Sequence, residues 1–311
     1  MPHRADGAGA GEVRSMSAVA RAYSGADAVR AVCSREEGGP RTVVVAAHPD
    51  DETVGAGSRF RSLRDPLFVH ITDGAPRSMH DARAAGFSAR GEYARARRRE
   101  LLKALELVPV PPARCIGLGI ADQEASFALQ FLARALRDLL KGMLPGIVLT
   151  HAYEGGHPDH DAAAFGVHAA CRLLEKEGVS PPPLVEYALY RADPAHRGRM
   201  TAFEFLPHPG CTGTTVELDP EERFLKGRML RCFATQQKVL GAFPVSVERF
   251  RPAPCYAFLR PPHAGALYYE NFAWGVTGEQ WRDYAGKALE ELGLLQEDAA
   301  GGKRGGGRRW G

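Results

Sequence analysis

The chain has 311 residues, 44% hydrophobic and 25% charged, with a formal charge of +3, which is the composition of an ordinary globular protein long enough for a buried core. So small a charge points away from a nucleic-acid partner, and no run approaches the roughly 20 apolar residues that a membrane-spanning helix needs. The six cysteines are scattered without a CxxC pair, which points to reduced thiols in a cytoplasmic protein and away from zinc held by cysteine.

In chain order, residues 1–25 read as a flexible leader without the apolar core of a signal peptide. The run Thr42-Val43-Val44-Val45-Ala46-Ala47 is β-branched without alternation, the pattern of a strand buried on both faces of a parallel sheet. His48-Pro49-Asp50-Asp51-Glu52 follows, then an amphipathic stretch to about Leu63. A second strand is expected over Leu67–Thr72, closed by Asp73-Gly74. The spacing predicts a helix from Ala89 to Leu107, a strand near Arg114–Gly117, a helix from Ser126 to Lys141 and a strand over Gly146–Thr150. The arginine run Arg95, Arg97, Arg98 and Arg99 reads as the wet face of the first of these helices.

Gly155-Gly156-His157-Pro158-Asp159-His160-Asp161 then opens another helix. After Pro181-Pro182-Pro183 the pattern changes. Strands are expected over Leu184–Tyr190 and Thr214–Leu218, and helices over Pro220–Leu240 and Thr277–Leu292. Residues 299–311, with Lys303-Arg304 and Arg308-Arg309 among glycines, read as a disordered basic tail. Residues 26–298 read as a single α/β domain.

Alternating strands and helices predict a doubly wound, mostly parallel sheet with an elaborated C-terminal part. In such a sheet ligands bind outside the carboxyl ends of the strands. Both HPD loops follow a strand and precede a helix, so both are expected on that edge. Zinc accepts imidazole nitrogen and carboxylate oxygen. His48 and Asp51 are three residues apart and so are His157 and His160, a spacing that lets each pair point one way. The stiff prolines and the permissive Gly155-Gly156 suit ligand loops. A lone HPD is equally an Asp/Pro turn opening a helix, with Asp50 or Asp159 as its cap. Two such motifs at strand ends favour the metal site, and capping is compatible with it.

These residues resemble the LmbE-like, or PIG-L, zinc-dependent N-acetylglucosaminyl deacetylases. The resemblance rests on Ala47-His48-Pro49-Asp50-Asp51-Glu52, on Thr72-Asp73-Gly74, and on Leu149-Thr150-His151 leading into Gly156-His157-Pro158-Asp159-His160. It extends less specifically over residues 41–240. It implies a Rossmann-like fold with zinc, or another divalent ion, held by His48, Asp51 and His160. It further implies Asp50 as general base and His157 as oxyanion stabiliser and proton donor, with Asp159 orienting that imidazole. The substrate implied is an N-acylated amino sugar or related amine. Other readings are an amidase of a thiol-sugar conjugate, a metal-binding protein without turnover, or an interaction module of the HPD type.

The remaining candidates are weaker. Asp161 reads as a first-turn or capping carboxylate, Glu52 as a residue that orients the loop, and His151 and His70 as supporting histidines. Arg77 reads as a surface arginine, with a sugar hydroxyl or phosphate as its other possible partner. The aromatics Tyr268-Tyr269 and Phe272-Ala273-Trp274 read either as a substrate wall or as core.

Overall fold

The structure, a computed structural model, describes residues 23–295. The leader as far as residue 22 and the tail 299–311 lie outside the described residues. The described chain opens with α1 (Gly25–Cys33), which the sequence reading does not anticipate and which Ser24 caps at the amide of Asp27. Then come β1 (Arg41–Ala46), α2 (Asp51–Ala56), β2 (Arg64–Pro76), α3 (His80–Ala84), α4 (Arg90–Leu105), β3 (Cys115–Asp122), α5 (Leu129–Met143), β4 (Ile147–His151) and α6 (Pro158–Lys176). The C-terminal part adds β5 (Leu184–Tyr187), β6 (Tyr190–Ala192), β7 (Met200–Ala202), β8 (Thr214–Glu217), α7 (Pro220–Leu230), α8 (Gln237–Leu240), β9 (Val247–Pro252) and α9 (Gly278–Glu291).

Seven strands form one sheet in the order β3-β2-β1-β4-β5-β9-β8, and β6 pairs with β7 in a separate two-stranded sheet. The five strands from β3 to β5 run parallel, while β9 and β8 continue the sheet antiparallel. The mixed α/β architecture is the Rossmann-like fold expected. Strand order reverses at β1 and β4, and at this switch point the loops after both strands leave on one edge.

Burial explains why β1 does not alternate. Val43 and Val45 pack into a core with residues of α5, α6 and α9. Val44 packs on the opposite face with residues of α1, α2, α4 and α7. Each such aliphatic side chain contributes about 1.5–3 kcal/mol when taken from water into the core.

Besides α1, further elements depart from expectation, and the strand expected over Leu184–Tyr190 is split into β5, which ends at Tyr187, and β6, which starts at Tyr190. β3 runs on to Asp122, because Gly117 and Gly119 interrupt its apolar pattern without ending the strand. β2 likewise continues to Pro76. The helix expected to reach Leu240 stops at Leu230, since Glu100 takes both the amide and the hydroxyl of Thr235 and redirects the chain. β9 is unanticipated because two of its buried positions carry charge. Glu248 pairs there with Lys226 at 2.9 Å, and Arg251 with Glu186 at 2.8 Å.

Candidate metal centre and active site

The first HPD loop is wound tightly on itself. Asp51 Oδ2 accepts from the backbone N–H of His48 at 2.8 Å and lies 3.0 Å from His48 Nδ1. Asp50 stands at φ 148°, a backbone region that costs a non-glycine residue about 1–3 kcal/mol and needs outside support. Glu52 accepts from the Asp50 amide at 3.1 Å and lies 3.0 Å from His70 Nε2. Arg97 donates to the carbonyls of Pro49 and Gly74 and to Asp50 Oδ2 at 3.0 Å. A Cβ on Gly74, which has φ +65°, would come within 2.9 Å of the Arg97 guanidinium carbon. This glycine near the end of β2 therefore lets Arg97 reach the loop. Arg95 and Arg99 are exposed as expected of a wet face, but Arg97 is buried against the Asp50 loop.

The second loop is held from several sides. Asp161 Oδ1 accepts from the amides of Glu154 and Gly155, which braces the turn ahead of the motif. His157, rather than Asp159, caps α6, its Nδ1 accepting from the Asp159 amide at 3.1 Å. The Asp159 carboxylate instead takes the amides of Gln123 and Ala125 and lies 3.3 Å from His48 Nε2. It stands 4.0 Å from His157 Nδ1, too far to orient that imidazole by a direct bond. The expected Asp159–His157 couple is therefore replaced by an Asp159–His48 contact. Asp50 likewise makes no side-chain cap bond on α2.

The two loops meet. Asp51 Oδ2 lies 3.3 Å from His160 Nε2 and 3.5 Å from His151 Nε2, while His151 and His160 stack with centroids 4.3 Å apart. The predicted ligands His48, Asp51 and His160 thus touch in pairs through Asp51. Among the described residues, the sets whose donor atoms all lie within 4.8 Å of one another are His48/His157/His160, Asp51/His151/His160 and His48/Asp122/His157/Asp159, and His48, Asp51 and His160 do not occur together in any one of them. His48, Asp50, Asp51, His157, Asp159 and His160 are all buried. His151 also accepts from the Ala47 amide at 2.9 Å, which locks the end of β1 to that of β4.

Asp122, at the tip of β3, is a member of this centre that sequence reading misses. Its Oδ1 lies 3.2 Å from His48 Nε2 and 4.0 Å from His157 Nε2. The available signal was the Ala121-Asp122 end of a strand on the same edge, hidden by reading β3 too short.

Two buried atoms aimed into the centre, His160 Nε2 and Asp122 Oδ1, have no hydrogen-bond partner. Orphaned imidazole nitrogen and carboxylate oxygen among further histidines and aspartates fit a borderline divalent cation such as zinc. Electrostatics reinforce the point. Burial penalises Asp51, yet the His160 and His48 imidazoles outweigh it and hold the carboxyl well below the usual range. Burial pushes Asp50 up to about 8 against the pull of Arg97. Burial, with His48 and His160 beside it, holds His157 well below its ordinary value and so neutral.

Of the other candidates, Arg77 lies on the surface and pairs with Glu124 at 2.5 Å. Tyr269 is core, whereas Phe272 is exposed and Trp274 lies with its ring 4.5 Å from that of His157.

Fold and site together define a class, a Rossmann-like α/β protein with a buried histidine–carboxylate centre at the switch point of its sheet. Within that class, residues 43–171, the segment that carries both motifs, match the family model described as PIG-L: GlcNAc-PI de-N-acetylase. A curated relative from Bacillus cereus, a probable N-acetyl-alpha-D-glucosaminyl L-malate deacetylase 2, is 31% identical over 140 residues. The match takes in 43% of this chain and 62% of the relative, so the chain spans less than two thirds of that protein's length. Among solved structures, a deacetylase of the A40926 pseudoaglycone is 18% identical with a TM-score of 0.52, over 68% of this chain and 96% of that one. The zinc-inhibited form of a teicoplanin deacetylase is 16% identical with a TM-score of 0.50, over 68% and 97%. At these identities the two structures speak to the fold alone. Among the described residues no helix is long and apolar enough to cross a membrane.

Proposed function

We propose that this protein is a metal-dependent N-deacylase, hydrolysing a linear amide, most simply the N-acetyl group of an amino sugar. The observation that carries the reading is the meeting of the two loops, with Asp51 Oδ2 set 3.3 Å from a buried His160 Nε2 that has no hydrogen-bond partner. The family model that residues 43–171 match and the name of the curated relative support the reaction and the sugar substrate.

His48, Asp51 and His160 would hold the ion. Zinc fits the donors, as would another divalent metal that accepts nitrogen and oxygen. When bound, such an ion supplies Lewis-acid polarisation of the acyl carbonyl and acidifies water at the site. Asp50, held by Arg97 and kept basic by burial, takes the proton of the attacking water. His157 accepts the Asp159 amide at Nδ1, so its neutral ring carries the proton on Nε2. That N–H donates a hydrogen bond to the oxyanion, and the leaving amine receives the proton that Asp50 has accepted, since a neutral imidazole does not give up its one remaining N–H proton. Asp159 ties α6 to the loop after β3, which keeps Asp122 and His48 in register with the second motif.

The testing experiment is metal content and acetate release from N-acetylated amino sugars, on the natural chain and on His160→Ala. The natural chain should hold one divalent ion and release acetate, and His160→Ala should lose both. A His160→Ala protein with full metal occupancy would remove His160 from the ligand set. A metal-loaded natural chain that releases no acyl group from any panel amine would remove the hydrolase reading.

A further inference from the structure

We infer that Trp274, contributed by the C-terminal part of the chain, is a positioning residue for His157. The inference rests on the proposed role of His157 and adds what holds its ring.

An imidazole that must aim one N–H at a developing oxyanion needs its ring plane fixed. A carboxylate on the far nitrogen commonly does this. Here neither carboxylate is placed to do so, since Asp159 Oδ2 and Asp122 Oδ1 each stand 4.0 Å from the His157 nitrogens. One backbone bond, Asp159 N–H to Nδ1 at 3.1 Å, sets the tautomer. A single bond near the ring's pivot leaves rotation about the Cβ–Cγ axis to be limited by packing.

Two rings supply that packing. His48 meets His157 edge-on at 4.5 Å, and Trp274 lies against it at 4.5 Å with 42° between the planes. Trp274 cannot readily retreat, because Phe272 stacks on it at 4.4 Å and 15°. Phe272 is braced by Tyr268, Tyr268 by Tyr190, and Tyr190 by His160, at 5.2, 5.7 and 5.1 Å. With His157 and His160 5.2 Å apart, the six rings close a circuit around the edge of the centre.

The segment is also tied to the loop it serves. The Tyr268 amide donates to the Gly155 carbonyl at 2.9 Å. A Cβ on Gly155 would strike the Leu267 side chain. Trp281 of α9 donates its indole N–H to the Pro158 carbonyl at 3.1 Å. Residues 267–281 thus grip both ends of Gly155–Pro158, and Trp274 is the member that touches the imidazole. It lies outside residues 43–171, so the part of the chain beyond the family segment supplies the support that a carboxylate does not.

The test uses Trp274→Ala and Trp274→Phe in the full chain, with N-acetylglucosamine and its glycosides as probes. A ring freed by a fraction of an ångström or more loses alignment, and misplacement on that scale costs up to about 10²-fold in rate. Trp274→Ala should therefore lower kcat about 10- to 100-fold with KM within about threefold and metal content unchanged, and Trp274→Phe should recover most of the loss. A rise in KM at unchanged kcat would make Trp274 a substrate wall and overturn the inference, as would natural kinetics in both variants. A second readout does not depend on turnover. Imidazole ¹⁵N spectra should show His157 as a single Nε2–H tautomer in the natural chain and as an averaged ring in Trp274→Ala. If no N-acyl amine is hydrolysed by the natural chain, the deacylase reading falls by itself. The spectra then decide the inference, averaging in Trp274→Ala supporting it and an unchanged pattern overturning it.

Discussion

Asp50 is held in a backbone conformation that favours glycine, and three groups keep it there, namely the Glu52 carboxylate on its amide, the α2 amide of Val54 on its carbonyl, and Arg97 on its carboxylate. Strain persists where the surroundings over-determine it. Asp50→Asn keeps the size and removes the base, so turnover should fall about 10²–10⁴-fold with the metal retained. Parallel rate and metal measurements check this, and near-natural rates would take the base role away from Asp50. At this scale the HPD residues were legible because histidine and aspartate at paired spacing have few other uses. Arg97 was not, because an arginine among arginines on an amphipathic helix reads as solvated until a loop is seen to cover it. Asp122 was hidden for a similar reason, since a lone aspartate at a strand end carries no pattern.

Each motif is a strand end, a bend and a helix start, and the bend is where sequence tolerates least. Gly156 packs so closely that an added Cβ would overlap the Tyr190 backbone carbonyl oxygen. Backbone cannot swing aside as a side chain can, so Gly156→Ala should cost about 1–3 kcal/mol and lower turnover by displacing His157. Gly178, with positive φ but nothing near its Cβ position, provides the control, where alanine costs only the backbone strain of about 1–2 kcal/mol. Urea unfolding of both variants separates the two, and equal stability losses with equal activity would show that the Tyr190 approach is not tight. The longer elements were readable from periodicity, as α4, α5 and β1 were. β9 was not, because Glu248 and Arg251 occupy buried positions and their partners, Lys226 and Glu186, come from distant parts of the chain.

Across the whole molecule, Glu222 in the first turn of α7 links the C-terminal part to the N-terminal half. It accepts from Arg35 after α1 at 2.9 Å, from Arg59 after α2, and from the Asp219 amide at 2.9 Å. Burial works against its charge, but the bonds from Arg35, the Asp219 amide and Arg59 prevail and bring the carboxyl down to about 2 from an ordinary 4.5. A carboxyl lowered in the folded state contributes stability that is complete above its unfolded pKa and disappears as the pH falls through the folded one. Glu222→Gln should therefore lower stability by about 1 kcal/mol at pH 7, the gap closing between about pH 4.5 and 2. Thermal unfolding across that range checks it, and a gap that widens on acidification would contradict the sign. The sequence by itself determined the α/β alternation, the edge on which both motifs stand and the residues of those motifs, because these follow from local periodicity and from side-chain chemistry repeated at short range. Only the tertiary structure decided that Asp159 turns to His48 rather than His157, that Arg97 and Asp122 join the centre, and that Trp274 packs on His157. These are contacts between segments far apart in the chain, set by how the sheet is ordered and how the C-terminal part closes over it, and no local pattern encodes them.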